Sequence, residues 1–302
     1  MVTDTGVESS QNSPILVADY ACEIGENPLW HPFEQKVYWT DIPTGRLFRY
    51  DPATGEQDQC YQGRPVGGFT IQEDGALLLF MDRGTVVLWR DGAQIEVISE
   101  LSAELSTRFN DVIADPRGRV FCGTMSTAER KGRLYRLDVN GSCHVVLEEV
   151  GCSNGMAFSS DLKTFYHTDS FAYEIYIYDY STESGELTNR RIFARFDEAD
   201  GLPDGLTLDA EGGVWTALWD GGGVVRLLPT GTVDRRISLP TRKVSSLTFG
   251  GIDLQDMYIT TAGGHTKQED GESAGGLFCV KAQAPGKAEF FSRIAIPIPE
   301  KH

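Results

Sequence analysis

A unit of 41 to 50 residues occurs six times along the chain, and this repeat constrains the fold more than any other feature. Each unit opens with a short alternating strand, a turn and a second apolar strand, as in residues 26–41. A second alternating strand pair follows, with an Asp/Asn-Gly type turn, as in residues 46–56. The units start at positions 26, 67, 110, 154, 204 and 245.

Two hairpins per repeat make a four-stranded unit, and this size and strand count are typical of a propeller blade. A blade buries its two faces only by stacking on neighbouring blades around a ring. The sequence therefore predicts an all-β fold, a six-bladed β-propeller with four-stranded antiparallel blades around a central channel.

No linker-like stretch divides the repeats, so we expect residues 15–302 to form one domain. Residues 1–14 are polar, lack the apolar core of a signal peptide and are expected to be a disordered tail. Residues 15–19 are expected to close the ring by joining a blade that the C-terminal segment 290–298 completes.

The composition of the chain disfavours two classes of binding partner, nucleic acid and membranes. Acidic residues outnumber basic ones by 44 to 27, which gives a formal net charge of −17 and disfavours nucleic acid. No apolar run approaches the roughly 20 residues of a membrane helix, so no membrane partner is expected. The six cysteines show no metal-like spacing and are interpreted as free, buried side chains in a reducing, cytoplasmic compartment.

The repeat also predicts a polar ring in the channel. The first strand of each propeller blade lines the axis, so residues at the same repeat position converge. The opening positions are Glu26, Gly67, Asn110, Asn154, Asp204 and Ser245. Converging carboxylates repel each other unless a cation lies between them. Glu, Asn and Asp oxygens suit Ca²⁺, Mg²⁺ or Mn²⁺, with Zn²⁺ as a further candidate. The alternative is a water-filled channel with a solvated polar lining.

One divalent metal ion on three protein oxygens keeps coordination positions open for water and a substrate carbonyl. Such an ion polarises the carbonyl and lowers the pKa of its water. Gly67 and Ser245, both small, are expected to leave room for a substrate. This pattern predicts hydrolysis of a small ester.

The sequence resembles the gluconolactonase/regucalcin (senescence marker protein) family of six-bladed lactonases. The matching stretches lie in the family's order at 24–30, 108–111, 123–125, 153–155, 203–205 and 249–251. The resemblance implies that Glu26, Asn154 and Asp204 are the metal ligands. It also implies that Arg108 and Asn110 hold the substrate and that Asp204 acts in proton transfer.

Three positions depart from the family pattern. Asn27 and Val112 stand where glycines are common, and Ala128 stands where animal members place a substrate-contacting glutamate. Glu129, beside Ala128, becomes the candidate substrate contact, and the sugar specificity stays open.

The leading hypothesis is a metal-dependent hydrolase that opens a sugar lactone, such as glucono- or xylono-lactone, to the aldonic acid. A related esterase or phosphotriesterase would use the same oxygen site, and a non-catalytic calcium-binding or interaction propeller would keep a solvated channel. His167 is interpreted as a hydrogen-bonded structural histidine. The long loop 263–276 is either a lid over the channel mouth or a disordered loop.

Overall fold

The computed structural model describes residues 13–90, 92–98 and 100–296. In this part of the chain, 24 strands form six four-stranded antiparallel sheets, which confirms the predicted six-bladed propeller. The first strand is β1 (Ile15–Asp19), and blade one follows with β2 (Gly25–His31), β3 (Lys36–Asp41), β4 (Arg46–Tyr50) and β5 (Gln57–Gln62). Blade two contains β6 (Val66–Ile71), β7 (Leu77–Met81), β8 (Val86–Arg90) and β9 (Ala93–Ile98). Blade three contains β10 (Phe109–Ala114), β11 (Val120–Thr124), β12 (Gly132–Leu137) and β13 (Cys143–Val150).

The other three blades follow the same order. Blade four contains β14 (Ser153–Phe158), β15 (Thr164–Asp169), β16 (Glu174–Tyr180) and β17 (Leu187–Arg195). Blade five contains β18 (Leu202–Leu208), β19 (Val214–Trp219), β20 (Gly223–Leu227) and β21 (Val233–Ser238). Blade six contains β22 (Val244–Gly250), β23 (Asp256–Thr261) and β24 (Gly276–Lys281), with β1 as its outer strand.

Helix is confined to single turns. The 3-10 helices are Ser102–Glu104, Ser170–Ala172 and Glu198–Asp200, and α1 is Lys267–Asp270. None of the helices in the described ranges is long and apolar enough to span a bilayer.

The hydrophobic core lies between neighbouring blades. One cluster, for example, joins Tyr38 and Leu47 of blade one to Val66, Phe69 and Leu79 of blade two. Because each blade has apolar residues on both faces, it is stable only between two neighbours. This stacking holds the six inner strands around one axis.

The ring closes through β1. Its antiparallel pairing with β24 runs from Ile15 opposite Cys279 to Asp19 opposite Gly276, as expected for residues 15–19. On the inner side, the Ser245 hydroxyl donates to the backbone carbonyl of Gly25, which joins blade six to blade one. Ser245 is fully buried in this contact, so it does not provide the open space expected of it.

The prediction that 290–298 completes a blade is wrong for its described part, residues 290–296. With β1 on the outer edge of blade six, that sheet is complete, and residues 285–296 instead cross the lower face, where the inner strands end. We call this segment the C-terminal strap. It contacts all six blades, at Phe33, Ile71, Gly118, Phe158, Ala210 and Leu254.

The expected tail over 1–14 lies, apart from Ser13 and Pro14, outside the described residues. Residues 297–302 also lie outside them. The six cysteines are free, and Cys22, Cys122 and Cys152 are buried.

Candidate functional site

A β-bulge interrupts the pairing of every inner strand near its first residues. In blade one the register shifts between Glu26 and Leu29, and in blade five it shifts between Pro203 and Leu206. The same shift occurs in the other four blades. A bulge adds a residue and redirects the neighbouring side chains. The polar side chains of the repeat lie at or inside these bulges, at the upper face of the ring.

Glycines beside two of these polar residues let neighbouring inner strands approach. A Cβ at Gly155 would lie 2.6 Å from the carbonyl oxygen of Asp204 and 2.3 Å from the backbone nitrogen of Leu206. A Cβ at Gly205 would lie 2.1 Å from the Ser246 hydroxyl oxygen. All three distances are shorter than real Cβ contacts. The Asn-Gly and Asp-Gly pairs therefore bring blades four, five and six together at the axis.

Two buried carboxyl groups, Glu26 and Asp204, lie close enough to affect each other's charge. Burial, the charge of Asp111 and the opposing effects of the Asn27 N–H and Arg108 set the pKa of Glu26 at about 8. Burial and the charges of Glu26 and Asp111 hold the pKa of Asp204 well above its usual range. Arg108 acts in the opposite direction on both carboxyls. The upper channel thus holds acidic groups whose ionisation the surroundings oppose, with one nearby guanidinium.

The Asp204 carboxylate fits a cation ligand. Its Oδ1 is buried and has no hydrogen-bond partner among the described residues. A buried polar oxygen without a partner is costly, as is a pair of repelling carboxyls, and a divalent cation would relieve both. No group of three His, Cys, Asp or Glu residues in the described ranges is arranged to hold a metal, so the candidate donor set requires the Asn154 amide oxygen.

A chain of hydrogen bonds fixes the amides beside these carboxyls. Arg108 Nη1 donates to Asn110 Oδ1 at 2.6 Å, and Asn110 Nδ2 donates to Asn154 Oδ1 at 3.0 Å. Asn154 Nδ2 then donates to the Ser170 hydroxyl oxygen at 2.9 Å, and that hydroxyl donates to the carbonyl oxygen of Pro203 at 2.7 Å. The chain starts in blade three and ends at the residue before Asp204. It orients Asn154 with its oxygen on the side of Asn110.

The structure therefore brings five of the six predicted site residues into one connected group: Glu26, Arg108, Asn110, Asn154 and Asp204. Glu129 is exposed in the loop between β11 and β12, where its N–H donates to the Thr127 hydroxyl oxygen at 3.2 Å. The same loop is anchored by an ion pair between Arg130 and the buried Glu104. The proposed contact of Glu129 with substrate stays a prediction.

Three neighbours of the group were not assigned a role from the sequence. Ser170 follows β15 and carries no motif, so its contact with Asn154 had no sequence signal. Cys152 lies 3.6 Å from Asn154 Nδ2, and burial raises the pKa of its thiol. Asp111 belongs to the 108–111 stretch, and burial raises the pKa of its carboxyl to about 6.

The structure gives a reason for Asn27 and Val112, which stand where the family commonly has glycine. It also agrees with the structural role interpreted for His167. Asn27 adopts a left-handed φ of 48°, which favours glycine but which asparagine tolerates. Its Oδ1 accepts the Phe69 N–H at 2.6 Å, an anchor that glycine lacks. Val112 packs against Gly68, where an added Cβ would lie 3.0 Å from a Val112 methyl, so the valine side chain occupies space that the glycine leaves open. His167 is buried and hydrogen-bonded to the Ser153 hydroxyl at 2.9 Å, in keeping with a structural role.

The sequence model of the SMP-30/gluconolactonase/LRE-like region matches residues 24–263, which is most of the chain. The matched range includes the strands β2 to β23. The chain belongs to the SMP-30/gluconolactonase/LRE-like family. The resemblance found in the sequence motifs is thereby confirmed.

Named members of the SMP-30/gluconolactonase/LRE-like family align over nearly the whole chain. The pentonolactonase XacC of Haloferax volcanii is 46% identical over 287 residues, covering 93% of this chain and 98% of the relative. The 6-deoxy-6-sulfogluconolactonase of Pseudomonas putida is 36% identical over 274 residues, covering 88% and 94%. The crystal structure of the calcium-binding protein regucalcin from Agrobacterium tumefaciens superposes with a TM-score of 0.86 at 23% identity, covering 94% and 98%, and shows the shared fold.

Proposed function

We propose that this protein is a lactonase that opens a sugar lactone, a pentonolactone or another aldonolactone, to the aldonic acid with the help of one divalent metal ion. The single observation that carries the proposal is the unpartnered, buried Asp204 Oδ1 beside Glu26 and the fixed Asn154 amide. The named lactonases among the relatives support the reaction class.

Glu26, Asn154 and Asp204 would hold the ion, because their oxygens are hard donors suited to Ca²⁺, Mg²⁺, Mn²⁺ or Zn²⁺. When bound, the ion supplies Lewis-acid polarisation of the lactone carbonyl and offsets the charge of the two carboxylates. Which of these metals binds is left to the experiment below, and calcium binding is named for the regucalcin of Agrobacterium tumefaciens.

Arg108 and Asn110 hold the substrate in this mechanism. The Arg108 guanidinium is half-buried. Its Nη1 donates hydrogen bonds to the carbonyl oxygen of Phe109 at 2.9 Å and to Asn110 Oδ1. A fixed guanidinium at the channel mouth stabilises negative charge that develops on the carbonyl oxygen. Glu129, on the loop at the same face, would contact the sugar hydroxyls.

Asp204 moves the proton. A water oxygen adds to the lactone carbonyl carbon, and its proton passes to the Asp204 carboxylate. The bond from that carbon to the ring oxygen then breaks, and Asp204 returns the proton to the ring oxygen as a hydroxyl. The product is an open-chain aldonic acid that loses a proton to solvent at neutral pH. Asp204 thus ends the cycle ionised, the form that a bound cation beside it would favour over the protonated one.

The test is acid release, followed with a pH indicator, from a panel of xylono-, arabino- and gluconolactone together with phenyl acetate and a phosphotriester. The protein is stripped with chelator and then supplied with each metal in turn. We expect metal-dependent opening of at least one aldonolactone, loss of activity in Asp204→Asn, and no loss in the control Asp200→Asn, an exposed carboxylate. Preference for the aryl ester or phosphotriester would favour the esterase hypothesis, and no turnover of any substrate would favour a calcium-binding propeller.

A further inference from the structure

The lower half of the channel is a separate cavity of about 560 Å³, within the size range of small-molecule sites. All six inner strands contribute to its wall, and the C-terminal strap forms its floor. Among the described residues that line it, none is Glu26, Arg108, Asn110, Asn154 or Asp204. The cavity therefore lies below the candidate active site.

The cavity opens toward the lower face, on the side of the loops between the first and second strands. Phe33 of blade one and Ile252 of blade six both line it, with 60% and 88% of their surface exposed. Aromatic side chains, including Trp30, Phe69 and Phe249, form much of the wall. An apolar ligand entering here would bury surface that the protein leaves in contact with solvent.

Two carboxyl groups face this apolar space from different elements. Asp111 comes from the inner strand of blade three, and Glu289 comes from the strap. One oxygen of Asp111 accepts the N–H of Val112 at 2.8 Å. Burial raises the pKa of Glu289 to about 7, and the charge of Asp111 adds to this effect, which places the two carboxyls near each other.

Lys287 is the neighbouring cation, but its ammonium donates to the carbonyl oxygen of Phe158 at 3.0 Å. The positive charge of Lys287 acts to lower the pKa of Glu289, but that pKa stays raised at about 7. Two close carboxyls in a mainly apolar cavity are neutralised either by protonation or by the positive charge of a ligand, and above pH 7 the ligand is the favoured route. An inorganic dication would need about six oxygen donors, which these mainly apolar walls do not supply.

We propose that the lower cavity binds a small organic cation, with an aromatic or aliphatic body against the apolar walls and a protonated amine between Asp111 and Glu289. The aromatic rings of the wall also attract a cation. This site is distinct from the candidate lactonase site, because Glu26, Arg108, Asn110, Asn154 and Asp204 do not line it, although the charge of Asp111 acts on Glu26 and Asp204.

Tryptamine, 3-methylindole and indole-3-propionate form a matched set of amine, neutral and acid probes. Isothermal titration calorimetry at pH 8 with calcium-saturated protein compares them. We expect tryptamine to bind most tightly, 3-methylindole at least tenfold more weakly, and the acid not to bind. Glu289→Gln is expected to weaken tryptamine at least tenfold, whereas the control Glu183→Gln, whose side chain is 92% exposed, leaves it unchanged. Equal binding of amine and acid, or binding of none of the three probes, would overturn the proposal.

Methionine methyl NMR locates the probe. Met156 lines the lower cavity, whereas Met125 lies 3.5 Å from Cys152 beside the upper site. With ¹³C-methyl methionine, tryptamine is expected to shift the Met156 signal, assigned through Met156→Leu, and to leave Met125 unchanged. A shift of Met125 alone, with binding lost in Glu26→Gln and kept in Glu289→Gln, would place the amine on the upper carboxylates and sink the inference.

Discussion

Asn110 donates a hydrogen bond from Nδ2 to Oδ1 of Asn154 at 3.0 Å, across the boundary between blades three and four. The same Asn110 accepts from Arg108 through its own Oδ1. An amide in this position transmits the orientation of a cationic side chain to a neighbouring amide oxygen. The proposed substrate contacts and the proposed metal ligands are therefore parts of one network.

Asn110→Ala removes the bond to Asn154 and leaves Arg108 Nη1 with only its bond to the Phe109 carbonyl oxygen. We expect kcat/KM for the best aldonolactone to fall roughly 10- to 100-fold, because supporting hydrogen bonds of this kind are worth about that much. Metal affinity should fall less than activity, since Asn154 keeps its bond to Ser170. The control is Asn140→Ala in an exposed turn. Unchanged kinetics in Asn110→Ala would exclude the substrate role.

Ser170→Ala removes the acceptor that holds Asn154 Nδ2 and leaves the Pro203 carbonyl without its donor. The amide of Asn154 can then rotate, so metal affinity is expected to fall roughly tenfold. Titration of chelator-stripped protein with each metal measures this, and saturating metal should restore most of kcat. Ser184→Ala, on an exposed turn, is the matched control. If the metal affinity stays at the wild-type value, Ser170 does not position the ligand.

Glu26→Gln removes one of the two repelling carboxyls and also one of the proposed metal ligands. Measurements without and with metal separate these two effects. In metal-free protein the folded-state pKa of Glu26 is about 8, above its unfolded value near 4.5. A raised carboxyl pKa stabilises the fold at low pH, and this contribution is lost as the pH rises through 8. In chelator at pH 9, Glu26→Gln should therefore be more stable than wild type, by about 1 to 3 kcal/mol in urea unfolding.

Added calcium should raise the melting temperature of the wild type and not of Glu26→Gln. The exposed Glu198→Gln should behave like the wild type in both measurements. A calcium response that survives in Glu26→Gln would remove Glu26 from the ligand set.

His167 makes the fold sensitive to acid. Burial lowers its pKa to about 4, against an unfolded value near 6.5. The unfolded chain takes up a proton in this window and the folded chain does not, so stability is full above pH 6.5 and falls toward pH 4. For His167 alone we expect a loss of about 2 kcal/mol between pH 7.5 and pH 5, opposite in sign to the contribution of the raised carboxyls such as Glu26. Urea unfolding should therefore show that lowering the pH from 7.5 to 5 favours His167→Gln over the wild type by about 2 kcal/mol. The exposed His144→Gln should show no such change relative to the wild type.

The repeat predicted the parts of the molecule that follow a period. Alternating apolar residues define the inner strands, so Glu26, Asn154 and Asp204 could be placed at equivalent positions from spacing alone. The bulges that redirect these side chains depend on pairing with the second strand of each blade, which no composition signal marks.

Contacts between distant segments could not be predicted in the same way. Ser170 reaches Asn154 and Pro203 from a turn without a motif. The strap resembles a strand in sequence because Phe290, Phe291 and Ile294 are apolar. Phe290 and Phe291 instead line the lower cavity, and Ile294 packs into the core between blades two and three. Its position follows from the occupied edge of blade six, which is a property of the whole ring.

The pairing of β1 with β24 joins segments that are far apart in the chain, since Asp19 lies opposite Gly276. A ring sealed in this way cannot lose one terminal blade at a time, as an open solenoid can, because blade six holds strands from both ends of the sequence. Pairing between segments so far apart in the chain is expected to form slowly. The amides of β24 should therefore exchange with solvent only when the whole ring unfolds, because the pairing with β1 closes the ring.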